Sequence, residues 1–226
     1  MKSTSRREFI KSASVLGLAI PLLNPTQIFG QINDQFTFYS PFMKVAMRMN
    51  FPQLASLCID SLGKGKESVS PLLISENVIK KYRSTVLGKS ISYHTESQVK
   101  DSNPAWNLIF SDKSIQITSE KTEDSEPFNI TVNQELTHTT VLGVMKERNK
   151  VILPCLIHLP DMGTFRVTSN VSGLELFTDA RRANSEGKCN LEHNFVNISF
   201  PSATEENPQI TYKLEIVSNF PEGVAN

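Results

Sequence analysis

Hydrophobic and polar residues alternate along most of the chain after about residue 30, as in antiparallel strands that bury one face. The clearest run covers residues 210–216, where Ile210, Tyr212, Leu214 and Ile216 alternate with Thr211, Lys213 and Glu215. Residues 196–200 and 164–168 follow the same alternation. The pattern predicts a half-buried antiparallel strand at each of these three places.

Two hairpins are predicted in the middle of the chain. The first joins a strand with Trp106 and Phe110 on one face to a strand with Ile115 and Ile117, through a turn at residues 111–114. The second turns at residues 88–89 and joins residues 82–87 to residues 90–94. Residues 75–86 also fit a short helix with an N-terminal serine cap, and between the two alternatives we favour the strand.

Clusters of turn-forming residues separate these runs, at residues 63–66, 101–104, 121–127, 184–187 and 204–208. Short strands with this spacing predict an all-β fold, a sandwich of two antiparallel sheets. Because no long helical pattern, repeat or low-complexity linker interrupts the strands, residues 31–226 are predicted to be a single domain. The segment after residue 218 fits a C-terminal tail and a connection to a further domain equally well.

The first 30 residues are predicted to be a bacterial twin-arginine signal peptide. Arg6 and Arg7 are followed by Glu8, Phe9, Ile10 and Lys11, the order that the twin-arginine receptor recognises. The apolar run that follows, residues 14–23, is too short for a transmembrane helix, which needs about 20 apolar residues, and it contains a proline. The segment has no cysteine, which argues against a lipoprotein anchor. The prediction is export in the folded state to the periplasm or beyond, with no stable membrane anchor.

The net charge of the chain without its predicted signal peptide limits its possible partners. The whole chain has 23 basic and 23 acidic residues, and residues 1–30 hold four of the basic groups and one of the acidic groups. Residues 31–226 therefore carry 19 basic and 22 acidic groups, a net charge of −3. This balance disfavours nucleic acid and anionic lipid as partners.

Three cysteines, Cys58, Cys155 and Cys189, allow at most one intramolecular disulfide in an oxidising compartment. Cys155 shares the apolar face of the run 151–159, which favours a buried small hydrophobic side chain. The pairing among the three cysteines is left open.

The motifs of catalytic and cofactor sites are missing. The chain has no G-x-S-x-G, H-E-x-x-H, P-loop or G-x-G-x-x-G motif, and its acidic residues lie mostly in polar loops. His94, His138, His158 and His193 are scattered without the short spacing of metal ligands. We predict no catalytic residue, no cofactor and no metal, although a site dispersed over several strands remains an alternative.

The most distinctive segment is residues 152–166, where two prolines bracket an apolar run and residues 161–163 form a turn. His158, Asp161 and Arg166 are candidates for a polar cluster suited to sugar hydroxyls, and a structural corner is the alternative that we favour. Trp106, the one tryptophan of the chain, is a candidate for stacking on a sugar ring. Its position on the face of Leu108 and Phe110 favours packing in the core instead.

Five segments together resemble the N-terminal β-supersandwich domain of exported bacterial six-hairpin glycoside hydrolases: residues 104–106, 109–119, 127–128, 141–143 and 152–169. The resemblance spans residues 36–217 and is one of pattern. It implies a large antiparallel sandwich that precedes an (α/α)6 barrel and shapes its glycan cleft. Since the catalytic carboxylates of that family lie in the barrel, no catalytic residue is carried over to this chain.

Together these observations predict an exported, non-catalytic β-sandwich associated with carbohydrate processing. It would support the glycan site of a glycoside hydrolase, with a carbohydrate ligand or a catalytic domain as partner. Two alternatives are an interaction or scaffold module exported with a partner protein, and an enzyme or metalloprotein with a dispersed site. Two alternatives stay open for the chain itself: a complete small protein, or the front part of a longer one.

Overall fold

A computed structural model of the chain describes residues 29–32, 35–65, 69–73, 82–98, 102–122, 125–133, 140–147, 149–159, 163–178, 182–183, 188–190 and 195–217. These residues form seventeen strands and no helix, so the predicted all-β class is confirmed. All pairings between the strands are antiparallel. None of the described residues belongs to a helix that could cross a membrane.

In chain order the strands are β1 (Phe29–Ile32), β2 (Gln35–Tyr39), β3 (Met43–Arg48), β4 (Leu54–Ile59), β5 (Tyr82–Leu87), β6 (Ser90–Thr95), β7 (Trp106–Ser111), β8 (Ser114–Glu120), β9 (Phe128–Asn133), β10 (Thr140–Glu147), β11 (Lys150–Leu159), β12 (Gly163–Ser169), β13 (Glu175–Thr178), β14 (Arg182–Ala183), β15 (Lys188–Asn190), β16 (Phe195–Phe200) and β17 (Gln209–Val217).

The strands form two sheets. The smaller sheet has the order β1-β2-β3-β4. The larger sheet has the order β14-β15-β10-β11-β12-β17-β8-β7-β6-β5, and β13, β16 and β9 form a branch that leaves it at β11. Strands β5 to β8 are a meander in which each strand pairs with the next.

One hydrophobic core lies between the layers. Phe36 and Phe38 of β2 lie 5.5 and 5.4 Å from the ring of Phe110 in β7, measured between ring centroids. On the branch, Phe128 of β9 lies 5.8 Å from Trp106. The smaller sheet and the branch therefore both cover the inner face of the larger sheet, which confirms the predicted sandwich of antiparallel sheets.

The strands predicted from alternation are confirmed. In β17 the side chains of Ile210, Tyr212, Leu214 and Ile216 are buried, and the intervening ones are half-buried or exposed. Strands β12 and β16 cover the other two predicted runs. Both hairpins are present, with turns at residues 88–89 and 112–113. Of the ambiguous segment 75–86, residues 82–86 are strand, and residues 75–81 lie outside the described residues.

Pro154 marks the point where β11 changes neighbours. Residues before it pair with β13 up to Ile152, and residues after it pair with β12 from Cys155 onward. The pairing of β11 with β10 is also irregular here, opposite Gly143. A proline has no N–H group to donate, so this gap in the pairing accommodates it without loss of a hydrogen bond. β11 thereby connects the larger sheet to its branch.

Residues 1–28 lie outside the described residues, so the twin-arginine prediction at Arg6, Arg7 and Phe9 stays a prediction. Strand β1 begins at Phe29, two residues before the predicted boundary of the folded domain. Cys155 is buried as expected, and it is not joined to Cys58. The side chain of Cys189 lies outside the described part of the chain.

Candidate functional site

The outer face of the larger sheet carries a row of polar side chains. Arg166 of β12 lies opposite Glu215 of β17, and Glu215 lies opposite Ser114 of β8. Side chains at paired positions of neighbouring strands project from the same face. The buried residues of these strands, such as Val167 and Leu214, point to the other face and into the core. The row is therefore accessible to a ligand from solution.

This row ends in a shallow, open cleft with a volume of about 600 Å³, and three turns and β17 contribute its walls. The turn between β2 and β3 supplies Phe42, the β5–β6 turn supplies Lys89, and β17 supplies Glu215. The remaining lining residues belong to the β7–β8 hairpin: Ser111, Asp112, Lys113 and Ser114. Successive hairpins of a meander turn at alternating ends, which places the β5–β6 and β7–β8 turns at the same end of the sheet.

Ser40 fixes the small sheet to this end of the larger sheet. Its buried hydroxyl donates a hydrogen bond of 2.8 Å to the carbonyl oxygen of Asp112. The hydroxyl oxygen of Ser40 in turn accepts hydrogen bonds from the backbone N–H groups of Phe42 and Met43, at 3.2 and 3.0 Å. One serine thus links the two turns that contribute Phe42 and Lys113 to the cleft.

Lys113 and Phe42 are in contact at the cleft. The ammonium nitrogen of Lys113 lies 4.0 Å from the centroid of the Phe42 ring, within the range of a cation–π contact. Gly63 also lies close to this ring, since an added Cβ there would be 3.2 Å from Cε1 of Phe42. The aromatic ring is therefore in contact with a charged side chain and close to a backbone turn.

Positive charge exceeds negative charge in and beside the cleft. The cations are Lys89 and Lys113 in the lining and Arg166 and Lys213 in the adjoining row, and the carboxylates are Asp112 and Glu215. Four cations against two carboxylates leave a local charge of +2. The ammonium group of Lys213 lies 3.1 Å from Oε1 of Glu215 and compensates the charge of that carboxylate.

His158 and Arg166 lie on the same outer face, on the interior strands β11 and β12 and not at an edge of the sheet. His158 of β11 is paired with Thr164 of β12, two residues before Arg166, so the two side chains are diagonal neighbours. Nδ1 of His158 lies 2.9 Å from the hydroxyl oxygen of Thr164. Arg166 is exposed and connects this pair to the row that leads to the cleft.

Trp106 lies in the core, where the packing alternative places it. Its side chain is fully buried, and its indole N–H donates a hydrogen bond of 2.9 Å to the carbonyl oxygen of Glu126. A sugar ring could stack on this side chain only if it left the core. Asp161, the fourth candidate for glycan binding, lies outside the described residues.

Sequence reasoning interpreted residues 88–89 and 111–114 as turns and did not consider them as a site. The signal that was missed is the meander of consecutive hairpins. Lys89 lies in the β5–β6 turn and Lys113 in the β7–β8 turn, and every second turn of a meander lies at the same end of the sheet. Phe42 and Glu215 could not have been added from sequence, because their positions depend on pairings between distant segments.

The buried tyrosines near the core have a structural role. Burial raises the pKa of the phenol of Tyr93 and that of Tyr212 well above the usual range. Their hydroxyl groups donate hydrogen bonds to the carbonyl oxygens of Arg48 and Pro201, at 2.6 and 2.7 Å. Both phenols therefore stay protonated and hold backbone segments in place.

In the described part of the chain, no three His, Cys, Asp or Glu side chains come close enough together to hold a metal ion. Of the four histidines, His138 and His193 lie outside that part.

Comparisons with known proteins give no family. No protein-family model matches the chain, and no curated protein matches it. Among solved structures, the crystal structure of the protein HI1317 aligns with 88% of this chain and 98% of its own, with a TM-score of 0.44 and 9% sequence identity. At that level of similarity nothing about function follows from the alignment.

Proposed function

We propose that this chain is an exported, non-catalytic β-sandwich that binds glycan in the cleft at the β7–β8 turn and serves a glycoside hydrolase there. The observation that carries the proposal is the cleft itself. It combines hydroxyl groups, carboxylates, ammonium groups and one aromatic ring on rigid strands and short hairpin turns. Sugar sites use this mixture, because hydroxyl groups need directional polar partners and pyranose faces need an apolar surface.

The row of Arg166 and Glu215 extends the cleft along the outer face of the larger sheet. A guanidinium group and a carboxylate on neighbouring strands provide donors and acceptors for vicinal hydroxyl groups. An oligosaccharide bound in the cleft would continue onto this row. His158 lies diagonally beyond Arg166 and marks the far end of the proposed surface.

Export supports the cellular part of the proposal. The Arg6-Arg7 segment predicts translocation of the folded chain, so the protein would meet glycans in the periplasm or outside the cell. The glycoside hydrolase that it serves would be either a partner protein or a further part of the same polypeptide.

Binding of oligosaccharides to the full chain tests this proposal. We expect the wild-type protein to bind at least one oligosaccharide on a glycan array at millimolar concentration and to release no reducing sugar from it. Arg166→Ala should weaken that binding about tenfold, the cost of one charge-assisted hydrogen bond. Lys121→Ala, a surface lysine paired with Glu205 at the other end of β8, is the matched control and should bind like wild type. Failure of the wild-type chain to retain any glycan would overturn the proposal.

A second candidate, an interaction module, is favoured by one observation. In the described part of the chain β5 is the last strand of the larger sheet, and its residues Val86 and Leu87 are 38% and 80% exposed. An exposed edge strand with apolar side chains can pair with a strand of another protein. The N–H groups of Ser84 and Val86 face away from β6, as that of Tyr82 does. Co-purification of a partner that is lost from a Ser84→Pro/Val86→Pro variant with an intact fold would favour this candidate over glycan binding.

A further inference from the structure

The two lysines of the cleft are held by the fold at neighbouring turns. Lys89 lies in the β5–β6 turn, and its carbonyl oxygen accepts a hydrogen bond of 2.9 Å from the backbone N–H of Phe110 in β7. Lys113 lies in the β7–β8 turn, and its carbonyl oxygen accepts a hydrogen bond of 2.8 Å from the backbone N–H of Ile216 in β17. Since both backbones are fixed to neighbouring strands, the two lysine side chains start from fixed backbone positions beside the cleft.

Hydroxyl groups lie beside these ammonium groups. The hydroxyl oxygens of Ser111 and Ser114 are 2.6 Å apart across the base of the β7–β8 hairpin, and both residues line the cleft. Lys113 rests on the Phe42 ring, which restricts its side chain without neutralising its charge. The cleft thus offers two cations next to two hydroxyl groups, a set of partners for a carboxylate carried on a polyol.

The carboxylates of the site do not cancel this charge. Glu215 is compensated by Lys213 at 3.1 Å and lies opposite Arg166 in the neighbouring strand. The lining itself holds two lysines, Lys89 and Lys113, and two carboxylates, Asp112 and Glu215. With Glu215 paired to Lys213 outside the lining, the two lysines face one remaining carboxylate, which leaves a surplus of one positive charge at the cleft.

We infer that the cleft selects anionic saccharides over neutral ones, with Lys89 and Lys113 binding the acidic group and the two serines binding adjacent hydroxyl groups. This inference rests on the proposed glycan-binding function and assigns its ligand class. A uronic acid residue is the simplest saccharide of this kind, because its carboxylate projects from the same ring as its hydroxyl groups. Contacts between exposed charges are screened by salt, so binding should weaken as ionic strength rises.

The test compares two ligands that differ only in charge. Trigalacturonate and its carboxyl-reduced counterpart are titrated into the full chain at low and high salt. We expect the acidic ligand to bind at least about tenfold more tightly at low salt, and Lys89→Ala or Lys113→Ala to remove most of that difference. Lys89→Gln serves as a second variant, which removes the charge but keeps a polar side chain only slightly shorter than lysine, and it should lose the preference as Lys89→Ala does. Lys121→Ala is the control for net charge and should keep the preference.

The possible outcomes distinguish this inference from the proposed glycan-binding function on which it rests. If both ligands bind equally, the acid preference is overturned and glycan binding stands. If neither binds and the array also retains none, both are overturned. If inorganic phosphate or sulfate displaces trigalacturonate at equal concentration, the cleft is a simple anion site and the saccharide assignment is overturned.

Discussion

Ser40 shows how much of the candidate site depends on one small side chain. Its hydroxyl group is buried and satisfies three backbone groups in two different turns. Because those turns belong to different sheets, Ser40 ties their positions to each other. These two turns place Phe42 and Lys113, whereas Lys89 lies in the β5–β6 turn.

We expect Ser40→Ala to lower the free energy of unfolding by about 1–3 kcal/mol, since buried backbone groups lose their partner. Binding of the preferred oligosaccharide should weaken in the same variant. Urea denaturation measures the first effect. Ser90→Ala is the control, because its exposed hydroxyl has one bond, to the carbonyl oxygen of Leu87, and its loss should change stability by less than about 0.5 kcal/mol. Equal losses in both variants would contradict the role assigned to Ser40.

His94 gives the fold a dependence on pH. Burial, followed by the charge of Arg83 on the neighbouring strand, lowers the pKa of His94 below its usual value of 6.5. The unfolded chain therefore takes up this proton at a higher pH than the folded chain does. Stability is unaffected by His94 above pH 6.5 and falls as the pH drops through 6.5 toward the lower folded-state pKa.

The midpoint of urea unfolding should accordingly be lower at pH 5 than at pH 8. His94→Gln removes the titrating group and should reduce that difference, and Arg83→Ala should reduce it in part. An unchanged difference in the His94→Gln variant would show that other groups cause the pH dependence.

At the scale of single elements, the register of each strand decides which side chains are structural. In β7 Phe110 points inward to the aromatic rings of β2, whereas its neighbour Ile109 is 41% exposed on the outer face. The two residues are similar in hydrophobicity and adjacent in sequence. Only the alternation of the strand separates their roles.

Phe110→Ala should therefore destabilise the protein by about 3–5 kcal/mol, the usual cost of removing a buried aromatic ring. Ile109→Ala should cost less than about 1 kcal/mol, because its side chain is partly in solvent already. Thermal or urea unfolding of the two variants measures the difference. Similar losses in both would contradict the register of β7.

The irregular pairing between β10 and β11 leaves no room for a side chain at Gly143. A Cβ added to Gly143 would lie 2.7 Å from Cγ1 of Val151 and 3.0 Å from Cβ of Cys155. Valine is stiff at its branched Cβ, so it cannot easily move away. We expect Gly143→Ala to destabilise the fold by about 1–3 kcal/mol.

A double variant tests the cause of that loss. Val151→Ala alone should be destabilising, but Gly143→Ala combined with Val151→Ala should lose less than the sum of the two single changes. Additive losses, measured by urea unfolding, would mean that the steric contact with Val151 is not the cause.

Strand existence was largely predictable from sequence, and strand pairing was not. Alternation predicted β7, β8, β16 and β17 because each has one buried face. The pairing of β8 with β17 depends on the whole core, and no local pattern encodes it. For this reason Arg166 was predicted as a candidate, whereas its position next to Glu215 and the cleft was not.

At the scale of the whole molecule, the predicted export depends on the arginine pair Arg6-Arg7. Arg6→Lys combined with Arg7→Lys keeps the charge of the segment and removes the guanidinium pair that the receptor recognises. We expect this variant to accumulate in the cytoplasm, as judged by cell fractionation and immunoblotting. Lys2→Gln, which removes a charge outside the pair, should still be exported. Periplasmic accumulation of the double variant would contradict the twin-arginine assignment.

β17 lies between β12 and β8, although 93 positions separate Thr118 from Thr211, whose hydroxyl oxygens are 3.3 Å apart. During synthesis the ribosome releases β8 long before it releases β17. The backbone N–H and C=O groups on this edge of β8 therefore stay unpaired until β17 is synthesised. Unpaired strand edges of this kind promote aggregation of nascent chains. The newly made protein should consequently need a chaperone until β17 has emerged, and the larger sheet can close only after translation of residues 209–217.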